Sequence, residues 1–304
     1  NNTPKEYRGA VKEAIESWEP AFRKAGFING IVAKQMPDDA EWDAASVDHA
    51  VVQWSDDENI GFAIGPSRVD PRTGETMDAD ITMQATFLNI YAHRFDVYIS
   101  EMAGTTKEEL LSRYAASKLP PAEGMDARSH QCLMQSEERA MQVAFGASML
   151  PYLDTDTSKK EYLHAMIREV AAHEVGHTLG MRHNFKASTW RDLDGLGDDD
   201  ATMSTGITGS FMDYPAVNMA GPGETQGEFF QSHVGPNDIW TIEWGYTEFG
   251  SNAKKRLEKI AARSPEAGLD FGTDEDSFIG DALCVVWDMG ADPVAFAKTQ
   301  LDLV

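Results

Sequence analysis

Three histidines, one glutamate and one glycine fall within the stretch HEVGHTLGMRH, from His173 to His183. His173 and His177 are four positions apart, and residues so spaced share one face of an α-helix. Two imidazole nitrogens on one face can meet a single metal ion, at about 2 Å for zinc. Glu174 adjoins the first of them but is offset around the helix. From there it is placed to hold a water beside the metal rather than to bind the metal, as a metal-assisted hydrolase needs. Gly180 lets the helix end through a backbone conformation that most residues resist, and His183 then returns as a candidate third ligand. Three neutral imidazoles leave one zinc position open for water, which marks a catalytic rather than a structural site. The plain alternative is three solvent-facing histidines at a helix end. Against it, the five fixed positions are expected by chance on the order of 10⁻⁵ times in a chain of this composition.

The elements around that stretch are legible from their periodicity. DTSKKEYLHAMIREVAAHEVGHTLGM predicts one long helix, with a Ser or Thr near 157 or 158 as its cap and Gly180 as its stop. The opening, TPKEYRGAVKEAIESWEPAFRKAGF, predicts a single amphipathic helix, since Val11, Ala14, Ile15, Trp18 and Phe22 recur at helical spacing. Four β-like runs follow, over 30–36, 49–55, 61–69 and 78–85, separated by turn-rich pieces. Segments 107–116 and 136–150 read as helical. After Gly180 the chain reads as irregular, through the acidic loop RDLDGLGDDD, until GPNDIWTIEWGY predicts a helix with Asn237 as its cap. AKKRLEKIAARS and DPVAFAKTQL predict two more. A helix, several strands and a second helix bearing the histidines predict a mixed α/β layer fold.

Composition narrows the partners. The chain has 304 residues and a formal net charge of −24, which argues against nucleic acid, because phosphate binding needs a basic surface. No apolar run approaches the length that crosses a bilayer, so no membrane-spanning helix is expected. The two cysteines, Cys132 and Cys284, can form one bridge or stay free, and leave the redox compartment open. The chain opens on Asn1 and stops at Val304 inside a helix-like stretch, as expected of a piece of a longer, processed polypeptide. The aspartates of the loop, Asp192, Asp194, Asp198, Asp199 and Asp200, are candidates for Ca²⁺, although their spacing is not that of an EF-hand and a solvated loop is the simpler reading. His49, His93, His130, His164 and His233 lack ligand spacing, and the helical phase of His164 turns it away from His173.

HEVGHTLGMRH resembles the zinc signature of the metzincin metalloproteases, HExxHxxGxxH. That resemblance implies a Met-turn downstream, and GSFMDYP supplies Met212 for it. The M-x-Y form is similar to the astacin, serralysin and pappalysin branches, and implies a role for Tyr214 at the metal or the oxyanion. It implies that DADITMQ, with Ala79, Asp80, Ile81 and Thr82, is the edge strand that pairs with an extended substrate. The fold implied is α/β (α+β): a twisted, mostly parallel sheet with an antiparallel edge strand, a backing helix, an active-site helix and a loop-rich helical C-terminal subdomain. The expected organisation is an N-terminal subdomain over 1–180, with an insertion at about 86–155, and a C-terminal subdomain over 181–304. With HEVGHTLGMRHNFKAS and the late DPVAFAK, the chain looks most like a group of large bacterial zinc-dependent metalloproteases. The motif-level resemblance spans 1–85 and 156–246, leaving 86–155 and 247–304 without assigned roles.

The expected function is therefore a zinc endopeptidase acting on a peptide or protein, with Zn²⁺ on His173, His177 and His183 and with Glu174 as general base. The alternatives are a zinc hydrolase of a non-peptide amide, an inactive peptide-binding module, or an enzyme held latent by a propeptide outside this chain. The intact Glu174 argues against the inactive module. An exported setting, in the periplasm, at the cell surface or outside the cell, is expected.

Overall fold

In the computed structural model the residues described are 2–55, 65, 67–84, 137–153, 155–221 and 223–302. Their order is α1 (Arg8–Glu16), α2 (Glu19–Lys24), β1 (Val52–Ser55), β2 (Ser67–Val69), β3 (Thr76–Ala79), β4 (Ile81–Gln84), α3 (Glu137–Met149), α4 (Lys159–Thr178), α5 (Leu193–Leu196), α6 (Asp199–Thr205), α7 (Pro236–Tyr246), α8 (Ala253–Ala261), α9 (Asp274–Ile279) and α10 (Pro293–Asp302). Single 3₁₀ turns interrupt the connections. Segment 107–116 and Cys132 lie outside the described residues.

α4 is the axis of the molecule. Ser158 caps it, accepting from the Glu161 amide while the Glu161 side chain answers the Ser158 amide, a complete capping box. At the other end Gly180, with φ +86°, closes a Schellman turn: Gly180 N–H donates to His177 O and Met181 N–H to Gly176 O, at 3.0 and 3.1 Å. Along most of its length α4 is buried, from Met166 and Ile167 to Val175. α1 packs along it, and the Trp18 indole donates to Ala172 O at 3.0 Å.

The predicted single opening helix is in fact two, broken at Ser17 and Trp18. Pro20 sits in the first turn of α2, where its missing N–H costs nothing; in an unbroken helix its ring would strike the preceding turn. The break swings α2 against α7. Residues 30–36 form no strand. The run at 78–85 divides at Asp80 into β3 and β4. β4 pairs with β1 in parallel, Val52 opposite Ile81 and Trp54 opposite Met83, while β3 pairs with β2 antiparallel with a register shift at Arg68/Val69. β4 lies against α4, and its Ile81 and Met83 are core residues.

Beyond Gly180 the acidic loop is not irregular throughout. Asp192 and Asp198 each cap a short helix, α5 and α6, by accepting from Gly195 N–H and Ala201 N–H. α7 begins at Pro236, and its first turn is held by Asp238, which accepts from Gly235 N–H at 2.9 Å. Asn237, expected as the cap, lies inside the helix and donates to Leu269 O at 3.3 Å. One core runs from Ala10 and Trp18 through Val175 to Phe211, Phe230 and Ile242. A second, smaller cluster joins Leu196, Ile207, Ala216, Met289 and Phe296.

Candidate metal centre

His173 and His177 project from the last two turns of α4, and their Nε2 atoms lie 3.1 Å apart. The Schellman turn reverses the chain and brings back His183, so that one ligand atom from each of the three histidines falls within 4.8 Å of the others. Among the described residues no other group of three or more His, Cys, Asp or Glu has metal-binding geometry. His49 rests on Trp42, His164 pairs with Glu13 at 2.8 Å and His233 contacts Ser232.

The second nitrogen of each ring is already committed. His173 Nδ1 lies 2.6 Å from Phe211 O, His177 Nδ1 3.1 Å from Met181 O, and His183 Nδ1 2.8 Å from Asp274 Oδ1. Carbonyl and carboxylate oxygens only accept, so all three Nδ1 atoms are donors. His173 is held well below the ordinary histidine range, first by burial and then by the charges of His177 and His183. A neutral ring that donates from Nδ1 carries a lone pair on Nε2. Two such lone pairs facing each other at 3.1 Å repel unless a cation lies between them. The donor set therefore fits a metal that favours imidazole and tetrahedral geometry, as zinc does.

The Met-turn backs this arrangement. Met212 is wholly buried beneath α4, and Gly176 makes room for it: a Cβ there would meet Met212 Sδ at 2.2 Å. Ser210 Oγ and Phe211 N–H both donate to Asp238 of α7, which anchors the turn, and Met212 O accepts from Asn184 N–H at 2.8 Å. Burial raises the Asp238 carboxyl to about 7 against the pull of those hydrogen bonds. The turn's Phe211 carbonyl is also the acceptor that orients His173, so the turn positions a ligand of the helix. Tyr214 is 1% exposed and its hydroxyl lies 2.7 Å from His183 Nε2. Its ring stacks on Trp287, with centroids 5.4 Å apart. Trp287 holds a left-handed backbone, φ 62°, fixed by its N–H bond to Tyr214 O.

Glu174 is fully buried, and Gly65 lies against it; a Cβ at Gly65 would sit 2.6 Å from the Glu174 carbonyl and 3.2 Å from its carboxylate. The residues expected to form the substrate edge, Ala79, Asp80, Ile81 and Thr82, straddle the β3–β4 division. Asp80 Oδ1 accepts from Val51 N–H at 3.1 Å, Ile81 N–H donates to Val51 O at 2.8 Å, and Thr82 lies opposite Gln53, so these bonds run to β1 and not to the histidines. Sequence reading missed Asp274, Trp287, Gly65 and the carbonyls of Phe211 and Met181. Gly176 alone left a local trace, because a glycine inside a helix costs about 1 kcal/mol and implies a packing reason.

A family model described as Met-zincin matches residues 155–304. Those residues are a Met-zincin domain. No curated protein and no solved structure matches the chain. The match includes α4 and the three histidines, and agrees with an α/β metzincin-type fold, here of helices with two two-stranded sheets among the described residues. It also runs through 247–304, which from sequence had seemed to lie beyond the family pattern; α8, α9 and α10 therefore fall within the Met-zincin domain. The domain is of the metalloprotease kind, and its histidine cluster suits zinc. Peptide is the substrate class that kind implies, and no helix among the described residues is long and apolar enough to cross a membrane.

Proposed function

We propose that the chain is a zinc endopeptidase in which Glu174 is the general base. The observation that carries this reading is the convergence of one ligand nitrogen from each of three histidines whose rings are all fixed as Nδ1 donors, with Glu174 on the helix that bears His173 and His177. His173, His177 and His183 would hold the metal. A zinc ion held there supplies Lewis acidity, making a water acidic near neutral pH and polarising the scissile carbonyl.

The chain's own groups do the rest. Glu174 accepts a proton from the attacking water and returns it to the nitrogen of the leaving amine. Burial keeps that carboxylate away from bulk solvent, where its proton would otherwise be lost. The Tyr214 hydroxyl, directed at the histidine cluster and backed by Trp287, donates a hydrogen bond to the oxygen that becomes negative in the tetrahedral intermediate. An extended peptide would lie along the β4 part of that stretch, Ile81 and Thr82, because among the described residues β4 has β1 as its single strand partner, whereas Ala79 is already paired with Ser67 of β2. The setting proposed is bacterial and exported; recovery of the full-length protein solely from the cytoplasmic fraction would rule the export out.

The test is cleavage of a complex peptide library read by mass spectrometry, for the wild type beside Glu174→Ala. The wild type should cut peptides, and the variant should bind zinc equally but turn over about 10²–10⁴-fold more slowly. Equal zinc content with undiminished cleavage would remove Glu174 from the mechanism, and turnover of non-peptide amides alone would replace the substrate class.

A further inference from the structure

The three ligands are not supported alike. His173 and His177 stand on a buried helix and need only backbone carbonyls, Phe211 O and Met181 O, to fix their rings. His183 stands on irregular chain past the Schellman turn and has no helix to hold it. Its Nδ1 partner is a carboxylate, Asp274 Oδ1 at 2.8 Å, brought from 91 positions away. That carboxylate is itself pinned. Asp274 Oδ2 accepts from Thr273 Oγ1 at 3.1 Å and lies 3.5 Å from the Arg182 guanidinium. Around it the two segments are laced together: Phe185 N–H donates to Gly272 O at 2.7 Å, Gly272 N–H to Asn184 Oδ1 at 3.1 Å, and Lys186 pairs with Asp281 at 2.8 Å.

We infer that Asp274 is a positioning residue for the metal: it fixes His183 as the Nδ1-protonated tautomer and sets the orientation of its ring. Two consequences follow from that bond. A carboxylate fixes the tautomer more firmly than a neutral carbonyl, because the charged acceptor makes the stronger hydrogen bond. It also fixes the orientation of the ring, the common function of a carboxylate behind a metal-bound histidine. The third ligand thus gains from one side chain the order that the other two draw from α4, and the segment 270–289 becomes part of the metal centre. The inference rests on the zinc reading of the histidine cluster, but not on any particular reaction.

The decisive experiment measures zinc affinity of the metal-stripped chain by competition with a chromogenic chelator, for Asp274→Ala, Asp274→Asn and Glu275→Gln. Glu275 pairs with the same Arg182, at 2.6 Å, and serves as the neighbouring-charge control. Asp274→Ala should weaken zinc binding by about 10–100-fold. Asp274→Asn, which keeps an acceptor oxygen and the side-chain shape, should fall between it and the wild type, and guards against misfolding of the alanine variant. Glu275→Gln should stay within about twofold of the wild type, since it leaves the His183 bond intact. In the metal-free protein, ¹⁵N spectra should show the His183 ring protonated at Nδ1 in the wild type and mixed between tautomers in Asp274→Ala. Wild-type affinity in both Asp274 variants, or an equal loss in Glu275→Gln, would overturn the inference. A wild type that binds zinc and cleaves nothing would count against the peptidase reading alone.

Discussion

The metal centre is assembled from two halves made in different ways. The helical half, α4, carries His173, Glu174 and His177 on one continuous element whose spacing alone sets their geometry. The other half carries His183, Met212, Tyr214, Asp274 and Trp287 on irregular chain, and it is ordered by hydrogen bonds between segments far apart in sequence. The halves also support each other across their joint. The Met-turn's Phe211 carbonyl orients His173, and Gly176 of the helix opens the space that Met212 fills. A helix can present ligands cheaply, but it can present only those that fit its period. A third ligand from another direction has to be held by the tertiary structure.

The sharpest way to separate the halves is Tyr214→Phe. It removes the hydroxyl at 2.7 Å from His183 and leaves the stack on Trp287. Turnover should fall by about 10²-fold, as for the loss of one oxyanion donor, with zinc affinity little changed. If zinc affinity fell in step with turnover, Tyr214 would belong with the metal's supports instead. A somewhat smaller effect is expected at the joint itself. Gly176→Ala drives a methyl to within 2.2 Å of Met212 Sδ and 3.0 Å of Trp18. Denaturant unfolding should show a loss of about 1–3 kcal/mol, and zinc affinity should drop with it because the Met-turn must shift. Unchanged values of both would mean that the halves are not coupled through this contact. The smallest effect tests the helix alone. Ser158→Ala removes the capping box and should cost about 1 kcal/mol of stability. Because the cap lies roughly 22 Å along the axis from His173, zinc affinity should not move.

The same division explains what could be read in the sequence. The histidine triad with Glu174 beside it, the capping serine and the glycine stop were all legible, because each depends on a local rule of period or backbone sterics. Met212 and Tyr214 came from family resemblance; the Met212 sulfur lies against Gly176 of α4, and the Tyr214 hydroxyl lies 2.7 Å from His183 Nε2. Asp274 was invisible: an aspartate 91 positions from its partner leaves no periodic trace, and its own surroundings read as a loop. Misreadings came from the same source. The opening helix was read through Pro20, although the proline forces a break, and Asn237 looked like a cap when Asp238 and Pro236 do that work. The acidic loop, whose aspartates are indeed exposed, read as irregular chain because two aspartate caps, each starting only a turn or two of helix, are too short to show a period.

The central claim is that both halves converge on one zinc ion. X-ray absorption at the zinc edge, on the full chain loaded with a single equivalent, measures that directly. The expected result is stoichiometric binding with three imidazole nitrogens and oxygen, all at about 2.0–2.2 Å. Two imidazoles or fewer, a sulfur ligand, or substoichiometric uptake would contradict the account and would leave α4 with a pair of histidines that the rest of the chain does not complete.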